Sequence, residues 1–133
     1  MIEKNLEIEV IYHLGDIHIP GSIEREQEYE QVLNRTIKMI NMDKRKKMVV
    51  ICGDLFHDKT KPYQEANILA RDFMKGIGDI CETIIIQGNH DINIDNENRK
   101  DSIKSTLRNL ETKYRINYLT ENKIYKIKGI NFG

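Results

Sequence analysis

Three apolar segments of this chain run straight into polar turns built from Gly, Asp, Asn and His. Leu6, Ile8, Val10 and Tyr12, alternating with Glu7, Glu9 and Ile11, lead into His13-Leu14-Gly15-Asp16-Ile17-His18. Met48-Val49-Val50-Ile51-Cys52 leads into Gly53-Asp54-Leu55-Phe56-His57-Asp58. Thr83-Ile84-Ile85-Ile86 precedes Gly88-Asn89-His90-Asp91. The alternation of the first segment suits a half-buried strand, and the unbroken apolar character of the other two suits strands covered on both faces. In sheets of alternating strands and helices, ligand sites gather at the carboxyl ends of the strands, so the three turns are expected to converge at one rim.

Helical patterns separate these strands. Pro20 and Gly21 break the chain, Ser22 is placed to cap, and Tyr29, Leu33, Ile37 and Ile40 then form an apolar stripe. Lys44-Arg45-Lys46-Lys47 closes that segment and reads as a solvated helix end rather than a DNA-binding patch. Pro62 opens a second helix with Ala66, Leu69, Ala70 and Phe73 on one side, and Gly76 and Gly78 are expected to end it. A polar loop from Asn93 to Asn98 leads to a short helix around Ile103, Leu107 and Leu110, and short strands follow at Ile116–Leu119, Ile124–Lys128 and from Ile130. Alternating strands and helices make the fold class α/β. With 133 residues, no repeat and no linker composition, positions 1–133 are read as one domain.

Twenty-one basic and 21 acidic residues cancel, so net charge neither argues for nor excludes a nucleic-acid partner. No apolar run approaches the roughly 18 residues needed to span a bilayer, and nothing after Met1 resembles a secretory h-region. Cys52 and Cys81 are the two cysteines, each in or beside a strand, and both read as small core hydrophobes rather than a disulfide. A cytoplasmic location is therefore expected.

The turns carry the chemistry. Asp16 and His18 are two apart, so in an extended segment their side chains share a face and grip one ion. Asp54 has two oxygens with which to bridge two ions, and Asn89 offers a neutral carbonyl oxygen. Mixed carboxylate, amide and imidazole donors favour Mn²⁺ or Fe over tetrahedral zinc. All four histidines of the chain, His13, His18, His57 and His90, fall in these turns, each near an aspartate. Tight turns alone account for Gly15, Gly53 and Gly88, but not for Asp16-x-His18 together with Asn89-His90-Asp91.

In this order and at these separations, Asp16-x-His18, Gly53-Asp54 and Gly88-Asn89-His90-Asp91 resemble the first three motifs of the calcineurin-like metallophosphoesterases. His13-x-x-Asp16-x-His18 with Gly53-Asp54-Leu55-Phe56-His57 resembles the SbcD and meiotic-recombination repair nucleases, and the stretch Asn93 to Ser102, with Arg99 and Asp101, resembles their phage and viral members. The likeness runs from about Ile8 to the end. It implies a central β-sandwich flanked by helices, of which this chain supplies the N-terminal portion. It implies that Asp16 and His18 bind a first metal, that Asp54 bridges to a second and that Asn89 binds the second. His90 then acts near the leaving-group oxygen with Asp91 orienting it, and His57 and Arg99 contact substrate. His13 is left between a supporting and a structural role.

The implied activity is cleavage of DNA phosphodiesters, by a nuclease subunit of an SbcCD-type repair complex using water activated by two metals. Mn²⁺ is the first choice, with Fe or Mg²⁺ as alternatives. The implied partners are DNA, a coiled-coil ATPase of the SbcC type and a second copy of the nuclease, with no membrane. The family completes its site with an isolated histidine and a Gly-His-x-His motif, and no histidine follows His90 here. Either the chain is the N-terminal part of a longer domain, which is the expectation, or it is a weak metal binder that does not turn over. Two other functions stand beside the nuclease. Phosphatases of the superfamily carry Asp-Arg-Gly after the second motif and Glu after Asn-His; His57-Asp58-Lys59 and Asp91 disfavour that class but leave another phosphodiesterase open. A non-catalytic scaffold is the third reading.

Overall fold

A computed structural model describes residues 7–20, 23–56, 64–88 and 102–133. Four strands form one sheet: β1 (Val10–Leu14), β2 (Lys47–Cys52), β3 (Glu82–Ile86) and β4 (Ile116–Leu119), in the order β1-β2-β3-β4 and parallel throughout. Parallel neighbours need crossover connections. These carry α1 (Glu26–Met42), α2 (Gln64–Gly78) and α3 (Ser102–Leu107). A hairpin of β5 (Tyr125–Ile127) and β6 (Ile130–Phe132) follows. The α/β class expected from the sequence is thus the observed one.

The register shows which face holds the core. Leu14, Ile51, Ile85 and Tyr118 lie across one another on neighbouring strands, as do Tyr12, Val49, Thr83 and Ile116. Side chains alternate faces along a strand, so both rows project from the same face. Apolar residues of these rows belong to one core cluster with Leu33 and Ile40 of α1, Leu69, Phe73 and Ile77 of α2, and Ile103 of α3. The helices therefore cover that face together. A strand order that advances in one direction, with crossovers of one hand, places every helix on the same side.

The opposite face carries Ile11, His13, Cys52 and Ile86, all exposed, with Met48 and Ile84 buried between them. A groove of about 740 Å³ separates part of this face from the β5–β6 hairpin, lined by Val50, Ile84, Ile86, Leu119, Tyr125 and Phe132 among others. Among the described residues, the second layer is this two-stranded hairpin.

Several local expectations hold and several move. Leu33 and Ile40 of the first helical stripe are buried, and Tyr29 and Ile37 pack against the core. Ala66, Leu69, Ala70 and Phe73 are all buried on α2. β1 begins at Val10, with Tyr12 packed against the core and Ile11 turned to solvent, and Leu6 lies outside the described residues. A 3-10 turn at Ile23–Arg25 precedes α1, which has Arg25 at its cap position with no side-chain cap bond; Ser22 lies outside the described residues, as does Pro62. The helix ends at Met42 with no basic residue in its last turn, so Lys44-Arg45-Lys46 fall in the connection and Lys47 opens β2. Gly76 does not end α2 but lies inside it. A Cβ there would stand 2.6 Å from Cδ1 of Ile37, so the missing side chain lets α1 and α2 close on each other.

Asp43 ties the end of α1 to the sheet. Its carboxylate accepts from the Arg45 guanidinium at 2.8 Å, from the Arg45 backbone N–H at 3.0 Å and from the Tyr12 hydroxyl. The Arg45 guanidinium, and then the Tyr12 hydroxyl, hold this carboxyl well below the usual carboxylate range. The Tyr12 hydroxyl is pushed up in turn by the carboxylate that accepts from it.

Candidate metal centre

Because β1, β2 and β3 are parallel, the turns that follow them leave the sheet at the same rim. Hydrogen bonds then join the first turn to the second. The His18 N–H donates to the Asp54 carbonyl at 2.9 Å and the Ile19 N–H to the Leu55 carbonyl at 2.8 Å, and Ile19 pairs with Phe56 in a parallel bridge. Ile19, Leu55 and Phe56 are almost wholly buried, so this seam is anchored in the core beneath the polar groups.

Three side chains converge above it. The His18 Nε2 lies 3.5 Å from an Asp16 carboxylate oxygen and 3.8 Å from one of Asp54. One donor atom from each residue lies within 4.8 Å of the other two. The Asp16 side chain is 84% exposed, against 29% for His18 and 18% for Asp54. The cluster is therefore open to solvent on the Asp16 side and backed by protein on the Asp54 side. Two carboxylates this close repel by roughly 1–3 kcal/mol at effective dielectric constants of about 20–80, and a divalent cation between them turns that cost into attraction. Oxygen and imidazole donors at this spacing fit a divalent metal ion.

The convergence has a different backbone cause from the one the spacing suggested. Asp16, His18 and Asp54 have φ of 50°, 48° and 51°, so none of the three is extended. Left-handed backbone costs a non-glycine residue about 1–2 kcal/mol, and Asp tolerates it better than most. Three such residues meeting at one cluster is the kind of strain that folds hold at functional sites.

Glycines bring the third turn in. A Cβ on Gly88 would lie 2.1 Å from Asp54 Oδ1 and 2.3 Å from the Asp54 nitrogen. Gly53, with φ of 75°, would place a Cβ 2.7 Å from the Gly88 Cα. The second and third turns are thus in backbone contact, which only residues without side chains permit. Asn89, His90 and Asp91, which follow Gly88 in the sequence, lie outside the described residues, as do His57 and Arg99.

Next to the cluster, His13 and Cys52 meet across β1 and β2 at 2.7 Å, Nε2 to Sγ. Cys52 is exposed, not a core hydrophobe, because its position in β2 projects from the face without helices; Cys81 is buried as expected. Burial pushes the thiols of both up. Gln87, the residue before Gly88, donates from its side-chain amide to the Tyr118 hydroxyl. No local signal marks that contact, since it depends on β4 pairing with β3.

The sequence model of the family described as calcineurin-like phosphoesterase matches residues 10–131. The chain is also 33% identical over 133 residues to the uncharacterized protein R555 of Acanthamoeba polyphaga mimivirus, a match covering 98% of this chain. It spans 10% of the length of that curated relative. Among the described residues, no helix is long and apolar enough to cross a membrane.

Proposed function

Because this chain belongs to the calcineurin-like phosphoesterase family, a family of metal-dependent phosphoester hydrolases, we propose that it carries the metal-binding part of a nuclease that cuts DNA phosphodiesters. The convergence of Asp16, His18 and Asp54 at the carboxyl rim of a parallel sheet carries this reading. DNA is favoured as substrate by His13-x-x-Asp16-x-His18 and Gly53-Asp54-Leu55-Phe56-His57, which resemble the SbcD nucleases, and by His57-Asp58-Lys59 where phosphatases have Asp-Arg-Gly.

In this reading Asp16 and His18 would hold one ion, and Asp54 and Asn89 would hold a second. Two divalent ions, Mn²⁺ by preference, would supply Lewis-acid polarisation of the phosphoryl oxygens and activation of water when bound. His90 would serve as proton donor to the leaving oxygen, with Asp91 orienting its ring. His57 and Arg99 place the substrate phosphate. The whole protein works with an SbcC-type ATPase and a second nuclease copy.

The test is Asp54→Ala in the complete protein, assayed on linear DNA, a small diester and a phosphopeptide. Metal-dependent cleavage of DNA is expected from the wild type and a loss of at least about a hundredfold from the variant. Cleavage retained by the variant would refute the assignment of Asp54. Faster turnover of small diesters would move the substrate away from DNA, and metal binding without turnover of any of the three would favour a scaffold.

A further inference from the structure

We propose that Tyr118 is a positioning residue for the metal centre, acting through Gln87 to set the third turn against Asp54; the inference rests on the metal-binding reading above. The third turn has little room. Gly88 sits so close to Asp54 that a Cβ would overlap both the carboxylate and the backbone nitrogen. The position of the Asp54 carboxylate therefore depends on where Gly88 lies. Yet Gly88 is beyond the strand ladders, whose last pairs are Cys52 with Ile86 on one side and Ile86 with Leu119 on the other.

One contact that reaches past the end of the ladder comes from β4. Tyr118 pairs with Ile85, packs on the helix-covered face against the core and extends its hydroxyl to the Gln87 side-chain amide. Gln87 follows β3 directly, and the hydroxyl of Tyr118 on the neighbouring strand reaches its side chain. The ring is fixed by packing, and its hydroxyl is the acceptor that fixes the carboxamide. Gln87 is in turn joined to Gly88 by one peptide bond. A rigid aromatic lever thus runs from the core to the residue that abuts Asp54. Outer partners of this kind, which orient the groups around a metal without touching it, typically change metal affinity 10–100-fold when removed.

The experiment measures Mn²⁺ affinity by electron paramagnetic resonance for the full chain, Tyr118→Phe, Gln87→Met and the double variant, with thermal melts alongside. Tyr118→Phe keeps the ring and its packing but removes the acceptor, so the fold is expected to survive while Kd rises about tenfold. If the two residues act as one unit, the double variant is no weaker than either single one. A role in stability alone would lower the melting temperature and leave Kd within twofold, which overturns the proposal; so would additive losses.

Hydrogen exchange in metal-free protein separates this from failure of the metal reading. Tyr118→Phe is expected to speed exchange of the Gly53, Asp54 and Gly88 amides by about tenfold, in line with a loosened contact. Unchanged exchange overturns the positioning role. A wild type that binds no Mn²⁺, or binds it equally after Asp54→Ala, overturns the metal reading instead, and the exchange result still decides for or against the lever.

Discussion

Gly88→Ala should disable the metal centre while the protein remains folded. A Cβ at this position would lie 2.1 Å from Asp54 Oδ1 and 2.3 Å from the Asp54 backbone nitrogen. The carboxylate can swing away, but the nitrogen is held by its chain, so backbone must yield by about 1 Å to restore an ordinary contact. Asp54 is already in left-handed backbone, and its carbonyl receives the His18 N–H, so the shift passes to His18 as well. Overpacking of this kind costs about 1–3 kcal/mol, offset by about 0.4–1 kcal/mol from the stiffer unfolded chain. The net loss of about 1–2 kcal/mol is small against the roughly 5–15 kcal/mol that stabilises a domain. The site is less tolerant, since a displacement near 1 Å is enough to cost about a hundredfold at a catalytic centre. Mn²⁺ titration and thermal melting of the same samples report the two effects separately. Gly15→Ala is the control, because nothing lies within 4 Å of a Cβ there. Mn²⁺ binding by Gly88→Ala within twofold of the wild type, or an equal loss in Gly15→Ala, would show that the close approach of Gly88 does not set the site.

Two further outcomes follow from the surroundings of the centre. Asp43, whose carboxyl is held below its ordinary value of 3.8 by Arg45 and Tyr12, contributes stability that is present above about pH 4 and is lost as pH falls through the lower folded value. Asp43→Asn should therefore melt below the wild type at pH 7, with the gap closing as the pH drops under 4; a gap constant with pH would show that the charge is not what matters. Cys52 is exposed and Cys81 buried, so a thiol reagent should modify one cysteine quickly in the folded chain and both after denaturation. Equal rates in the folded protein would contradict this placement.

Much of the scaffold was legible because its signals are local. Apolar runs marked β2 and β3 to within a residue, and the stripe through Leu33 and Ile40 marked the buried side of α1. The errors also have local causes. Gly76 looks like a helix terminator, and only the approach of Ile37 explains a glycine in mid-helix. Cys52 looks like core because β2 is apolar throughout, but its face of the sheet lacks helices at that point. The basic run at Lys44 begins after the helix has stopped at Met42, where Asp43 turns the chain by bonding to Arg45 and Tyr12.

The sequence alone sets the chemistry on offer: which donors exist, in which order, and that each set follows a strand. It could do so because motif and strand are written in neighbouring residues. Whether Asp16, His18 and Asp54 meet was decided by the tertiary structure. Parallel pairing of β1, β2 and β3 brings their exits to one rim, the three donors in left-handed backbone meet there, and Gly53 lies against Gly88 across two strands. The hold of Tyr118 on Gln87 is of the same kind, joining residues 31 apart through the pairing of β4 with β3. Distances of 3.5 and 3.8 Å between donors are set by contacts among residues far apart in the chain, and spacing along the sequence carries no information about them.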